Sequence, residues 1–173
     1  MKCVICSAET EIEKTDVYKC TKCNHIYVDY KGSGLNYHKN EYRKNGEGNR
    51  GDHTNQIKND IFTENFHLVR RDIMEKRCDI VGKYFNIKAS SSVLDIGAGG
   101  GTFAMTINSK FNVDVECQEI SEICIKNLQI LGFKTYGGDF NDIKFNKKYE
   151  LVTCWHALEH IKDLKQYVTN LSK

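Results

Sequence analysis

From Ser92 onward the chain alternates between two rhythms of apolar residues. Short runs rich in Val, Leu and Ile, at Ser92–Ile96, Val113–Gln118, Phe133–Tyr136 and Tyr149–Cys154, predict strands. Between and after them, apolar residues recur at helical spacing over Thr102–Lys110, Ser121–Leu131 and Asp163–Leu171. Ser121 stands where an N-cap is expected, with Glu122 in the first turn. In the last helix Leu164, Tyr167, Val168 and Leu171 share a face. Strands alternating with helices predict an α/β fold on a parallel sheet.

Upstream, Asp60–Phe85 carries Phe62, Phe66, Val69, Ile73, Ile80 and Tyr84 at helical spacing, with Arg70, Arg71, Glu75 and Lys76 on the other side. This predicts one long amphipathic helix with a gap in its apolar stripe at Arg77 and Gly82 near its end. The stretch from Asp29 to about Lys58 is polar and glycine-rich. It reads as a solvated linker or as a lid in which Tyr37, His38, Tyr42 and Arg43 close on a polar substrate. The expected segments are therefore 1–29, a connector over 30–59, and the α/β part over 60–173.

Composition narrows the class. Forty per cent hydrophobic and 28% charged residues exclude a disordered tail, a collagen or a coiled coil. No apolar run reaches the roughly 18 residues that span a bilayer, and Met1-Lys2-Cys3 does not open a signal peptide, so the expected location is cytoplasmic with no membrane partner. Twenty-five basic against 23 acidic side chains leave +2, too little to argue for a nucleic-acid partner. Proline is absent, and cysteine occurs eight times.

Four of those cysteines form Cys3-x2-Cys6 and, after thirteen residues, Cys20-x2-Cys23. In a reducing compartment two such knuckles predict a tetrahedral four-thiolate zinc site, with free or disulfide-paired thiols as the alternative. Glu9–Lys19 is too polar to form a core of its own, so a metal staple is expected. Four thiolates leave no open position for a catalytic water, which makes the zinc structural. Cys78, Cys117, Cys124 and Cys154 lie in apolar neighbourhoods and read as small buried hydrophobes.

The densest chemistry lies at Val93-Leu94-Asp95-Ile96-Gly97-Ala98-Gly99-Gly100-Gly101-Thr102-Phe103. Glycines between a strand and a helix let a ligand approach the backbone. The dinucleotide pattern G-x-G-x-x-G fails because its sixth position is Thr102. The spacing found, Asp95-x-Gly97-x-Gly99-x-Gly101, resembles the first motif of class I S-adenosylmethionine-dependent methyltransferases. A carboxylate there suits a cationic amino-acid head and would repel a pyrophosphate.

Later motifs extend the resemblance. Val115–Ser121 looks like the family's second strand end, which implies that Glu119 accepts the ribose hydroxyls and Ile120 packs on the adenine. Alternation turns Glu116, the nearby acidic rival, to the opposite face. Tyr136-Gly137-Gly138-Asp139-Phe140 resembles the turn after the third strand, where the acid would take the adenine amino group and the amide of Phe140 a ring nitrogen. Tyr149–Ile161 is similar to the family's "F-D-x-V-x-x-x-x-x-L-E-H" segment, with Tyr149 and Glu150 replacing Phe-Asp, and places Trp155 along the cofactor. With the cysteine module, the whole resembles zinc-ribbon-bearing methyltransferases, sugar C-methyltransferases among them. The resemblance implies S-adenosylmethionine as cofactor, a Rossmann-like sheet and methyl transfer to a small polar metabolite.

If the methyl acceptor carries a proton, a base is needed, and His156 and His160 are candidates. Four residues apart, they would share a helical face with Glu159. The alternative is that they hydrogen-bond backbone carbonyls to fix the loop. Some quinone-pathway O-methyltransferases with a related segment hold a divalent cation there, which implies a further set of ligands in His156, Glu159 and His160. Competing functions are methylation of ribosomal or transfer RNA and a cofactor-binding module without turnover. Only four strands are visible, fewer than the resemblance implies, with an uncovered edge at the fourth. The expectation is a fragment, or one half of something completed elsewhere.

Overall fold

A computed structural model describes residues 1–14, 17–28, 64–161 and 163–172. The connector at 30–59, with Tyr37, His38, Tyr42 and Arg43, lies outside the described residues, as do Phe62 and the side chains of Phe66 and Val69. The chain divides into two compact units, residues 1–34 with 160–173, and residues 35–159.

In the first unit, β1 (Thr10–Lys14), β2 (Val17–Cys20) and β3 (Ile26–Val28) form an antiparallel sheet in the order β1-β2-β3. Its register pairs Thr10 with Cys20, Ile12 with Tyr18 and Tyr18 with Tyr27. Cys3 and Cys20 are buried, whereas Ile12 and Ile26 are exposed. This sheet therefore has almost no aliphatic core. The helix Leu164–Leu171, capped by Asp163 accepting from the Gln166 amide at 2.8 Å, belongs to the same unit and buries Tyr167.

The second unit opens with α1 (Glu64–Tyr84) and continues as β4 (Ser92–Ile96), α2 (Thr102–Phe111), β5 (Asp114–Glu119), α3 (Glu122–Ile130), β6 (Lys134–Gly137) and β7 (Leu151–Cys154). The strands form one parallel sheet in the order β6-β5-β4-β7. Strand order reverses at β4, because β5 and β6 build outward on one side and β7 lies on the other. A crevice at the carboxyl ends of the strands beside such a reversal is where ligands bind in open parallel sheets. β7 forms one edge of this sheet.

The core draws on every layer of this unit. Val93, Val115, Cys117 and Leu151 from the sheet pack with Met74, Cys78 and Val81 of α1, Phe103, Ala104 and Ile107 of α2, and Leu128 of α3. No helix among the described residues is long and apolar enough to cross a membrane.

One expectation about this core is overturned. Ile73, Ile80 and Tyr84, assigned to the packing stripe of α1, are 54%, 50% and 69% exposed, and Met74, Cys78 and Val81 are buried instead. The helix is apolar on two faces, and each residue step rotates a side chain by about 100°. The slim Met and Cys row meets the sheet and α2. The gap at Arg77 belongs to the buried side, where the guanidinium lies 4.9 Å from the Trp155 ring centroid. Of the four cysteines expected in the core, Cys78, Cys117 and Cys124 are buried, but Cys154, at the edge strand's end, is only half-buried.

The second unit also explains Tyr149 and Glu150. Tyr149 donates its hydroxyl to Glu116 Oε2 at 2.6 Å, and Tyr136 does so at 2.7 Å. Lys147 and Lys134 complete the shell at 2.7 and 3.2 Å. Burial opposes ionisation of Glu116, but Lys147, the two tyrosines and Lys134 outweigh it and hold the carboxyl at about 2. Glu150 accepts the Ser92 amide at 2.8 Å, fastening the start of β7 to β4.

Candidate functional site

Two sets of residues converge, one in each unit. In the first, the sulfurs of Cys3, Cys6, Cys20 and Cys23 all lie within 4.8 Å of one another. Cys3 and Cys23 are 3.7 Å apart and Cys6 and Cys20 3.5 Å apart, both too far for a disulfide. A zinc tetrahedron with bonds of about 2.3 Å has edges of about 3.8 Å, so the donor set fits that ion. The knuckle amides point inward. Ile5 donates to Cys3 Sγ at 3.4 Å, and Lys22 and Cys23 donate to Cys20 Sγ at 3.3 Å. The Cys23 amide above all pulls the Cys20 thiol down to about 6, favouring the thiolate a metal requires. Four cysteines are thus positioned to bind a metal ion.

The second set lies at the carboxyl ends of β4, β5 and β7, beside the reversal of strand order. After β4 the backbone turns through left-handed conformations at Gly97 (φ 67°), Gly99 (φ 56°) and Gly101 (φ 85°). At Gly97 a Cβ would stand 2.6 Å from Ala157 Cβ, and at Gly101 one would stand 2.8 Å from Leu128 Cδ2. Both conformation and space therefore require glycine at these two positions. Thr102 then opens α2, whose amino end faces the same loop.

Asp95, one residue before the end of β4, is 2% exposed and accepts the Thr153 hydroxyl at 2.8 Å. Burial pushes its carboxyl up to about 7, with Thr153 and Arg77 opposing the shift and Glu119 adding to it. Glu119 ends β5 7% exposed. Its Oε2 accepts the Gly99 amide at 2.7 Å, and its Oε1 accepts the amides of Ile120 and Ser121 at 2.8 and 2.9 Å. Ser121 is the N-cap of α3 as expected, yet its hydroxyl makes no capping bond. Two acids thus flank the glycine loop on neighbouring strands, and Ile120 follows directly.

The remaining predicted residues divide. Asp139 Oδ1 accepts the Asn141 amide at 2.8 Å and caps the short turn Phe140–Asp142, and Phe140 is buried. Trp155, just past β7, packs on Phe103 with ring centroids 5.4 Å apart. Among the described residues its buried indole nitrogen has no hydrogen-bond partner. His156 is exposed, with a left-handed φ of 54°, and its Nδ1 lies 3.6 Å from Glu159 Oε1. The expected helical face shared by His156 and His160 does not form. A left-handed residue cannot continue a right-handed turn, and the short 3₁₀ segment spans only Leu158–His160. Nor do His156, Glu159 and His160 form a metal cluster: among the described residues the four cysteines alone converge.

Arg77 was missed as a site residue. Its guanidinium lies over Trp155 and its charge reaches Asp95. The signal was present as a lone cation interrupting an apolar stripe. Thr153 gave no signal, since a threonine in a strand is ordinary.

Comparison with known proteins agrees with this geometry. A curated ubiquinone biosynthesis O-methyltransferase of Rickettsia canadensis is 26% identical over 110 residues, covering 61% of this chain and 47% of that protein. The chain spans about half the length of the curated relatives it matches. Among solved structures, Streptomyces venezuelae DesVI superposes with a TM-score of 0.53 at 20% identity, covering 66% of this chain and 51% of that one. Coclaurine N-methyltransferase bound to N-methylheliamine and SAH gives 0.51 at 19% identity, covering 57% and 32%. These structural likenesses establish a shared Rossmann-like methyltransferase fold. A family model described as a methyltransferase domain matches residues 67–173, more than half the chain, and the chain belongs to that family.

Proposed function

We propose that the chain takes part in S-adenosylmethionine-dependent methyl transfer to a small polar acceptor, a sugar being one candidate. The observation that carries this reading is the left-handed glycine loop held between two buried carboxylates, Asp95 and Glu119, at the reversal of a parallel sheet. A zwitterionic amino-acid head needs an acid and a cation together, and Asp95 with Arg77 offers that pair. Glu119 Oε2 spends one lone pair on Gly99 and keeps another for a ribose hydroxyl. Gly97, Gly99 and Gly101 would admit the ligand to the backbone, Ile120 and Phe140 would border its adenine, Asp139 would take the adenine amino group, and Trp155 would line the cofactor.

When bound, this cofactor supplies an activated methyl group, so the protein's task is alignment and exclusion of water. An acceptor hydroxyl must also lose its proton. His156, paired with Glu159 and open to solvent, is the candidate base, with His160 in the adjoining turn as second candidate. The curated relatives are O-methyltransferases by name, consistent with an oxygen acceptor. The cysteine module holds zinc as a structural ion. Near-neutral net charge gives an RNA acceptor no electrostatic support.

Calorimetric titration with S-adenosylhomocysteine tests the reading. Wild type is expected to bind, and Asp95→Ala and Glu119→Ala each to weaken binding tenfold or more, about the loss of a charge-assisted hydrogen bond. Absence of binding by wild type, or equal binding by both variants, sinks it.

A further inference from the structure

The two loops that would grip opposite ends of the same nucleoside are joined by one side chain. Gln118, 5% exposed near the end of β5, accepts the Gly97 amide on its Oε1 at 3.2 Å and donates its Nε2 to the Gly138 carbonyl at 2.6 Å. Gly97 opens the glycine loop, and Gly138 precedes Asp139. The backbone strengthens the tie: the amides of Gly97 and Ala98 donate to the Gln118 carbonyl at 2.9 and 3.0 Å, and that of Gly138 to the Glu119 carbonyl at 3.1 Å.

We propose that Gln118 is a positioning residue that fixes the spacing between the glycine loop and the Gly138–Asp139 turn, and so sets affinity for the adenosyl cofactor. The chemistry is selective. One partner is an N–H and the other a C=O, so the bridging group must accept on one atom and donate on the other. A carboxamide does both. A carboxylate only accepts and would face the Gly138 carbonyl with negative charge, while leucine does neither. Asparagine is one methylene shorter and falls short of spanning the gap. Gly138, with φ of 112°, stands in a conformation that only glycine adopts readily.

The inference rests on the cofactor reading above, and the experiment separates the two. S-adenosylhomocysteine is titrated into wild type, Gln118→Leu and Gln118→Glu between pH 5 and pH 8, with thermal unfolding of each as the control for folding. Gln118→Leu is expected to bind roughly five- to tenfold more weakly, the loss of about one buried hydrogen bond. Gln118→Glu is expected to be weaker still at pH 8. On acidification its carboxyl, buried and so protonated early, regains a donor and an acceptor. The ratio of wild-type to Gln118→Glu affinity then narrows towards pH 5, while the ratio for Gln118→Leu stays constant.

Amide exchange in the unliganded chain gives a readout free of ligand. Gln118→Leu should speed exchange at Gly97–Gly101 and Gly138–Asn141 together and leave the centre of β5 protected. Ligand binding by Gln118→Leu at wild-type affinity, or pH-independent ratios for both variants, overturns the proposal for Gln118 while the cofactor reading stands. Failure of wild type to bind overturns both.

Discussion

The two units meet the same electrostatic demand in different ways. Each gathers groups that carry or acquire negative charge: four cysteine sulfurs in one, and Asp95 with Glu119 in the other. The four sulfurs are placed for a metal ion, and on the proposed reading the acids await a cationic ligand head. They differ in what holds them while they wait. Cys3 and Cys20 are the buried residues of the three-stranded sheet, with Ile12 and Ile26 left in solvent. Asp95 instead sits in a strand flanked by Leu94 and Ile96, above a core of packed aliphatic and aromatic side chains. The expectation is that the first unit needs its cation to fold, whereas the second is folded before any ligand arrives.

Removing the metal probes this contrast at its largest. Structural zinc contributes roughly 10–16 kcal/mol of apparent folding energy in small modules, far more than a 28-residue polar segment recovers otherwise. A strong chelator, or Cys20→Ser, is therefore expected to abolish amide protection over Thr10–Cys20 and leave β4 and β5 protected. Hydrogen exchange read by mass spectrometry checks this. Simultaneous loss in both regions would mean that the second unit leans on the metal as well, and the comparison would fail.

A smaller effect sharpens the picture of the self-sufficient unit. Met74→Ala on α1 removes a buried side chain from the core and is expected to cost about 2–5 kcal/mol, whereas Ile73→Ala one position earlier should stay within about 0.5 kcal/mol. The pair of denaturant midpoints decides which face of the helix packs. Equal costs would mean that Ile73 is covered as well.

That pair also marks how far the sequence was legible. The strands were readable because Val, Leu and Ile cluster in short runs and a parallel strand is buried on both faces. Cys3, Cys6, Cys20 and Cys23 were readable because thiolate spacing is fixed by one ion's geometry, and Asp95 with the glycines because a tight ligand loop tolerates few alternatives. The buried face of α1 was not readable. Periodicity reports that a helix has an apolar face, but when it has two, the choice depends on what the sheet and α2 present. The relation of His156 to His160 was lost to a single left-handed residue, and periodicity carries no sign of that. Gln118 was hidden for a related reason: its partners Gly97 and Gly138 lie 21 and 20 residues away in sequence, and only the folded register brings them together.

The smallest predicted effect concerns charge in the second unit. Asp95, with an ordinary value of 3.8, is raised to about 7 by burial. A raised value means that the folded, unliganded chain holds a proton the unfolded chain has released. This contribution to stability is complete below about pH 4 and is lost as pH rises through 7. Ligand affinity should run the other way. A cationic head beside Asp95 favours the carboxylate, so binding below pH 7 must expel a proton, at a cost of about tenfold in affinity per pH unit. S-adenosylhomocysteine, whose amino group is cationic over this range, is expected to bind about fivefold more tightly at pH 7 than at pH 6, with close to one proton released per ligand at the lower pH. Calorimetry in two buffers of different ionisation enthalpy measures that proton directly. Asp95→Asn should bind more weakly and without the slope. Removing the cysteine metal should leave the slope unchanged if the two units balance their charges independently, and a slope that vanished with the metal would show that they do not.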